Sequence, residues 1–284
     1  MLLKQFFSKQ TILLIGIATY VLALPYAIIA FNIVLQMFSL GVVKQLPVMV
    51  FACLAVAYGV VCWRRKQGFY LLSFIIPSLV VVAGVVLLES NPIKYSHIPE
   101  YMLLAVLIYA ANSHGKNTAT LYLGCFLSTV LLGIFDEVHH GIHPERYYGW
   151  KDMVINAAGG FIGLLLVAQV RPVPVTGFWQ SVCGIAKKQG YAVALLMLAL
   201  LVLAFSCAGL FQVQSNGAFL AVYSKKLLLL NAATVCCIII FAVHHYKTSQ
   251  LYSSFRALLY QPLIVIGLIQ ALLVWANLTG VEFK

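Results

Sequence analysis

The sequence predicts an all-α fold, a polytopic bundle of transmembrane helices with about nine spans. Three observations lead there. Of the 284 residues, 63% are hydrophobic and 9% are charged, against roughly 45–50% and about 25% in a soluble domain. The apolar residues form runs of roughly 17–25, the length that crosses a hydrocarbon core of about 30 Å. The runs are also continuous, whereas membrane β-barrel strands give weaker, alternating segments of about 10 residues.

In order, the predicted spans are 11–31, 46–62, 69–88, 98–112, 118–135, 152–170, 191–212, 227–243 and 256–278. Lys4 and Lys9 precede the first, which is too long for a signal-peptide core and lacks a small-x-small cleavage site, so it reads as a retained helix. The fourth is short and opens with polar residues. Residues 213–226 read as a loop or an interfacial helix. Pro25, Pro77 and Pro262 fall inside spans, where a kink is tolerated if neighbours satisfy the freed carbonyl. Trp63, Trp150, Trp179 and Trp275 sit near span ends, as an interfacial aromatic belt requires. The seven cysteines lack metal-ligand spacing and read as buried, reduced packing residues.

The formal charge of +11 suggests nucleic acid in a soluble protein, but cytoplasmic loops carry the same bias. With nine spans, 11 Lys and Arg fall on the N-terminal side (4, 9, 64, 65, 66, 116, 171, 187, 188, 247 and 256) and 7 on the other. That places the N-terminus in the cytoplasm and expects no nucleic-acid partner. All seven acids then fall on the outer side, and six of them lie between residues 89 and 152, a window that holds four histidines on the same predicted face (His97, His139, His140 and His143). Ionisable residues near a bilayer are costly, so the concentration marks a candidate site.

Two segments form it. In Asn91–Tyr101, His97, Glu100 and Tyr101 share one face if a helix has begun by His97, with Pro99 in its first turn. In Asp136–Gly160, Asp136, His140 and His143 can line one side of the fifth helix, which Gly141 and Pro144 should end. Asp152 and Asn156 are one turn apart at the start of the sixth helix, where Asp152 could cap free N–H groups. Gly159, Gly160 and Gly163 give that helix a small-residue face.

The ordered set resembles the VanZ-like family. His97, Glu100 and Tyr101 match a His-x-x-Glu-Tyr helix start, and Asp136-Glu137-Val138-His139 is similar to an Asp-Glu-aliphatic-His/x-Gln signature. Arg146 matches a loop arginine, and Asp152, Asn156 and Gly159 match an Asp-x3-Asn-x2-Gly helix start. His140 stands where the family usually has Gln, and Pro144-Glu145-Arg146 where it often has Pro-Gly-Arg. The resemblance covers about residues 69–170 and implies a four-helix core there, flanked by an N-terminal transmembrane pair (1–68) and a C-terminal region of about three spans (171–284). It also implies an integral protein of the bacterial cytoplasmic (inner) membrane, part of the cell envelope. The founder of the family accompanies glycopeptide-resistance genes and lowers teicoplanin susceptibility.

The functional expectation is a pocket at the outer leaflet for a lipid or lipid-linked anionic substrate, with membrane lipids as partners. Arg146 offers a fork for phosphate or carboxylate. His97 and His139 are candidates for proton exchange, with Glu100, Glu137 and Asp152 as orienting or catalytic carboxylates. Tyr101, Asp136, His140 and Asn156 complete the binding set. Two alternatives remain: a network that only clamps helices together, and a metal-dependent hydrolase using zinc on His139, His140 and His143, with Glu137 and Asp136 as further ligands. No cofactor is expected. There is no Walker-type phosphate loop, no Gly-x-Ser-x-Gly and no zinc-finger spacing.

Overall fold

The computed structural model describes residues 9–38, 74–113, 118–143, 146–171, 178–215, 225–251, 256–281 and 283, with scattered positions between 39 and 73. The described residues contain no strand. The helices are α1 (Lys9–Ala23), α2 (Ala27–Met37), α3 (Ile76–Leu88), α4 (His97–Ser113), α5 (Ala119–Ile142), α6 (Trp150–Val170), α7 (Phe178–Lys188), α8 (Gly190–Ser215), α9 (Lys225–Leu251) and α10 (Gln261–Thr279). Short 3-10 turns occupy Leu24–Tyr26 and Pro92–Ser96, and a π-helical turn occupies Arg256–Tyr260.

Five of these helices, α5, α6, α8, α9 and α10 with its π turn, are long and apolar enough to cross a membrane. The expected span 98–112 is α4, with 17 residues, and the span 69–88 is α3, with 13 in its described part. The expected span 11–31 is interrupted by the Leu24-Pro25-Tyr26 turn. Most of the expected span 46–62 lies outside the described residues. Pro77 and Pro262 stand in the first α-helical turns of α3 and α10, each just after π-helical residues of the same helical segment. The π turn ahead of Pro262 widens the backbone where the ring would crowd the preceding carbonyls.

Helix α4 is central, packed against α6, α5 and α1. Its contact with α6 is backbone to backbone. A Cβ on Gly159 would lie 2.6 Å from the Ile98 carbonyl oxygen, and one on Gly163 2.6 Å from that of Met102. Gly160 turns to the other neighbour, where a Cβ would meet Thr129 Cγ2 of α5 at 2.7 Å. The expected small-residue face is therefore two faces, one for each partner.

Polar ties show that the consecutive helices α4, α5 and α6 alternate in direction, so that the closely packed α4 and α6 run parallel. At one end, the start of α4 meets the end of α5, the start of α6 and the end of α1, where the Tyr20 hydroxyl donates to the Glu100 carbonyl at 3.1 Å. At the other, Arg256 is 3% exposed and donates through Nε to Asn112 Oδ1 (3.0 Å) and through its second terminal nitrogen to the Ala111 carbonyl (3.2 Å). Asn112 in turn donates to Gln261 Oε1 at 2.9 Å, joining the ends of α4 and α10. Ser206 and Asn231 bridge α8 and α9 at 3.0 Å, a polar link of the kind that joins helices in lipid.

All four tryptophans are exposed. The cysteines correct the sequence expectation. Cys125 is buried and Cys207 partly so, but Cys53, Cys183, Cys236 and Cys237 are exposed, and Cys62 lies outside the described residues. Lipid-facing positions need to be as apolar as core positions, so a cysteine inside a span is not thereby a core residue.

Gly159→Leu should lower thermal stability in detergent by about 1–3 kcal/mol, as expected for overpacking, because the Ile98 backbone cannot move aside. Gly84→Ala, at a position with open space around its Cα, is the control and should leave the melting temperature unchanged.

Candidate functional site

The acidic end of the bundle is assembled from four helices and two connections. Helix α5 runs to Ile142, seven residues beyond the predicted span, and so carries Asp136, Glu137 and His140 in regular helix. It ends between Gly141 and Pro144, as expected, with His143 as the extended cap, and Phe283 packs against Gly141. Asp136 and His140 lie one turn apart, with Oδ1 and Nε2 at 3.4 Å, and Glu137 Oε1 is 3.5 Å from His140 Nδ1. All three side chains are at most 2% exposed.

The neighbours converge on this trio. Tyr101 of α4 donates its hydroxyl to Asp136 Oδ2 at 3.0 Å. Glu137 accepts the Gly149 backbone N–H on Oε2 at 3.2 Å and the Asn156 amide on Oε1 at 3.4 Å. His97 Nδ1 lies 3.2 Å from Glu100 Oε2, one turn on, and the His97 and His140 rings are 6.5 Å apart. Arg146, in the connection after α5, brings a terminal nitrogen to 3.1 Å from His140 Nε2. Asp152 stands in the first turn of α6, where Gly149 is the cap and makes no side-chain bond. Its carboxylate is instead engaged by Lys94 Nζ, 3.0 Å from each oxygen.

Of the sequence-predicted residues, His97, Glu100, Tyr101, Asp136, Glu137, His140, Arg146, Asp152 and Asn156 are thus brought together. His139 and His143 are not. Successive residues on a helix diverge by about 100°, which turns His139 away from the cluster, toward Phe135 at 6.2 Å. His143 has left the helix and sits edge-on to Tyr26 at 5.7 Å. The zinc set of His139, His140 and His143 therefore does not converge. The groups with donor atoms within 4.8 Å of one another are His97, Glu137 and Asp152, and Asp136, Glu137 and His140.

Sequence reasoning missed Glu89 and the role of Lys94. Lys94 also approaches Glu89 Oε2 at 3.6 Å, and the Tyr95 hydroxyl donates to the Glu89 carbonyl at 2.7 Å. The Asn91 N–H bonds Glu89 Oε1 at 3.0 Å. That bond first, then the charge of Lys94, holds the Glu89 carboxyl below its ordinary value. The one available signal was a lysine five residues from Glu89 in the acidic window.

No known protein family, curated protein or solved structure matches the chain. The chemistry is therefore read from the side chains. Buried carboxylates, two imidazoles and a guanidinium within hydrogen-bonding reach can hold an anion, move a proton or ligate a cation.

Tyr101→Phe removes the donor to a carboxylate that is 1% exposed. It should cost about 1–3 kcal/mol, the usual penalty for a buried acceptor left short of a bond, read as a lower melting temperature of the purified protein.

Proposed function

We propose that the chain is a VanZ-like integral protein of the bacterial cell envelope. In this reading the acidic end faces the extracytoplasmic side and holds the anionic headgroup of a lipid or lipid-linked precursor. One observation supports it above the rest: the Arg146 guanidinium meets a buried cluster of ionisable side chains at 3.1 Å from His140. Charges at that depth are expensive, and where they persist they generally serve a pathway or a ligand. Arg146 supplies the fork for phosphate or carboxylate. His97 and its Glu100 partner supply the proton-exchanging pair, with Glu137 and Asp152 as the carboxylates beside it. The excess of lysine and arginine on the N-terminal side of the spans supports the orientation.

A second reading is favoured by a specific observation. Tyr101 to Asp136, Asn156 to Glu137, the Gly149 N–H to Glu137 and Lys94 to Asp152 each tie one element to another. A cluster so bonded can serve purely as a clamp.

Arg146→Gln separates the two. In nanodiscs carrying a fluorescent anionic phospholipid, loss of charge-assisted bonds worth about 1.5–3 kcal/mol should weaken headgroup binding by roughly 10–100-fold with the melting temperature held. A lower melting temperature with unaltered lipid binding would establish the clamp. The orientation has its own measurement: in intact cells a cysteine at Lys151 should react with an impermeant thiol reagent and one at Ser181 should not. The reverse pattern overturns the orientation.

A further inference from the structure

The geometry points to a divalent-cation site formed by His97 of α4, Glu137 of α5, and Asp152 and Asn156 of α6. It goes beyond the headgroup reading and stands separately from it, although the two share a cluster. Donor atoms of His97, Glu137 and Asp152 lie within 4.8 Å of one another. A cation about 2.1 Å from each in a tetrahedral site requires each donor atom to shift inward by at most about 0.8 Å, within the play of side-chain torsions.

Asn156 is the independent observation. It is 0% exposed, one turn beyond Asp152, with its amide nitrogen on Glu137 at 3.4 Å. No hydrogen-bond donor among the described residues reaches its Oδ1. A wholly buried amide oxygen rarely goes without a partner, and amide oxygens are good ligands for hard and borderline cations.

The surroundings have the features of a metal site. The ligands come from three helices, so the fold and not one flexible segment sets the geometry. Glu100 Oε2 lies 3.2 Å from His97 Nδ1, which places a carboxylate beside the imidazole as at many metal-binding histidines. The Gly149 N–H on Glu137 Oε2 similarly fixes that carboxylate. Among the described residues Lys94 is the permanent cation paired with the cluster's carboxylates, at Glu89 and Asp152, while Arg146 contacts His140, so a dication adds positive charge where the carboxyls are densest. Imidazole, carboxylate and amide donors without thiolate suit Zn²⁺ or Mn²⁺ better than a soft monovalent ion.

The overlapping trio of Asp136, Glu137 and His140 is the poorer candidate, since all three come from one helix and Arg146 already sits 3.1 Å from His140. Lys94 occupies the Asp152 oxygens, but it is the exposed member, 34% accessible on a long stem. It is the group that gives way.

The test uses the full chain purified in detergent, stripped with chelator and titrated with Co²⁺, whose visible d–d absorption reports its ligands, and then with Zn²⁺ in competition. Saturation at one Co²⁺ per chain is expected, with Zn²⁺ displacing it. His97→Ala and Glu137→Gln, checked for folding, should each weaken binding at least tenfold. Lys94→Met should tighten it, which keeps the proposal testable even if the ligand variants fail to fold. Absence of saturable Co²⁺ binding in the folded wild type overturns the site, as does unchanged affinity in a folded Glu137→Gln or weaker binding in Lys94→Met. Arg146→Gln should lose headgroup binding and keep the Co²⁺ spectrum, so failure of one proposal is distinguishable from failure of the other.

Discussion

Helices α4 and α6 approach until the backbone of one touches the backbone of the other, and the rest of the polar end depends on that approach. Gly159 and Gly163 permit it by offering no Cβ to the Ile98 and Met102 carbonyls. Tyr101 and His97 on one helix are thereby brought within reach of Asp152 and Asn156 on the other, while both pack on α5. Widening that contact by the diameter of one methyl group would break several of the polar distances at once. Hydrogen bonds tolerate only a few tenths of an ångström, whereas van der Waals packing elsewhere in the bundle can relax.

The arrangement also answers an electrostatic difficulty. Asp136 and Glu137 are adjacent in sequence and buried together, so each needs partners of its own. Helical geometry sends them in different directions, Asp136 to the Tyr101 hydroxyl and Glu137 to the Gly149 N–H and the Asn156 amide. His140 lies between them, one turn on, close enough to both to act as their common neighbour. The two segments singled out from sequence thus form a single interleaved network.

How much was legible depended on the length scale of the signal. The Asp136–His140 and Asp152–Asn156 pairings follow from helical periodicity, and the structure bears out their shared faces. The ends of α6 differ from the expected 152–170 only at its start. Lys94 could not be assigned to Asp152, because 58 residues separate them and no local rule connects them. Nor could the cysteines be sorted, since a helix apolar all round carries no periodic mark of which side meets lipid. Helix α7 escaped because it is an 11-residue segment with Lys187 and Lys188 in its last turn, too short to register as a span. Arg256 entered the sequence reading only as a charge near a span end. Its burial against Asn112 and the Ala111 carbonyl depends on the π turn that precedes α10, which no sequence rule used here foretells.

That inner network has a consequence for the molecule as a whole. At the Arg256 end, α4 and α10 are joined by a guanidinium and two amides, groups that hold their charge state across the physiological range. At the other end the joints are carboxylates and imidazoles, which do not. The bundle is joined at one end by groups of fixed charge and at the other by groups that can gain or lose a proton. The two ends of the bundle thus differ in how their joints answer to acidity, and the asymmetry lies in the choice of side chains.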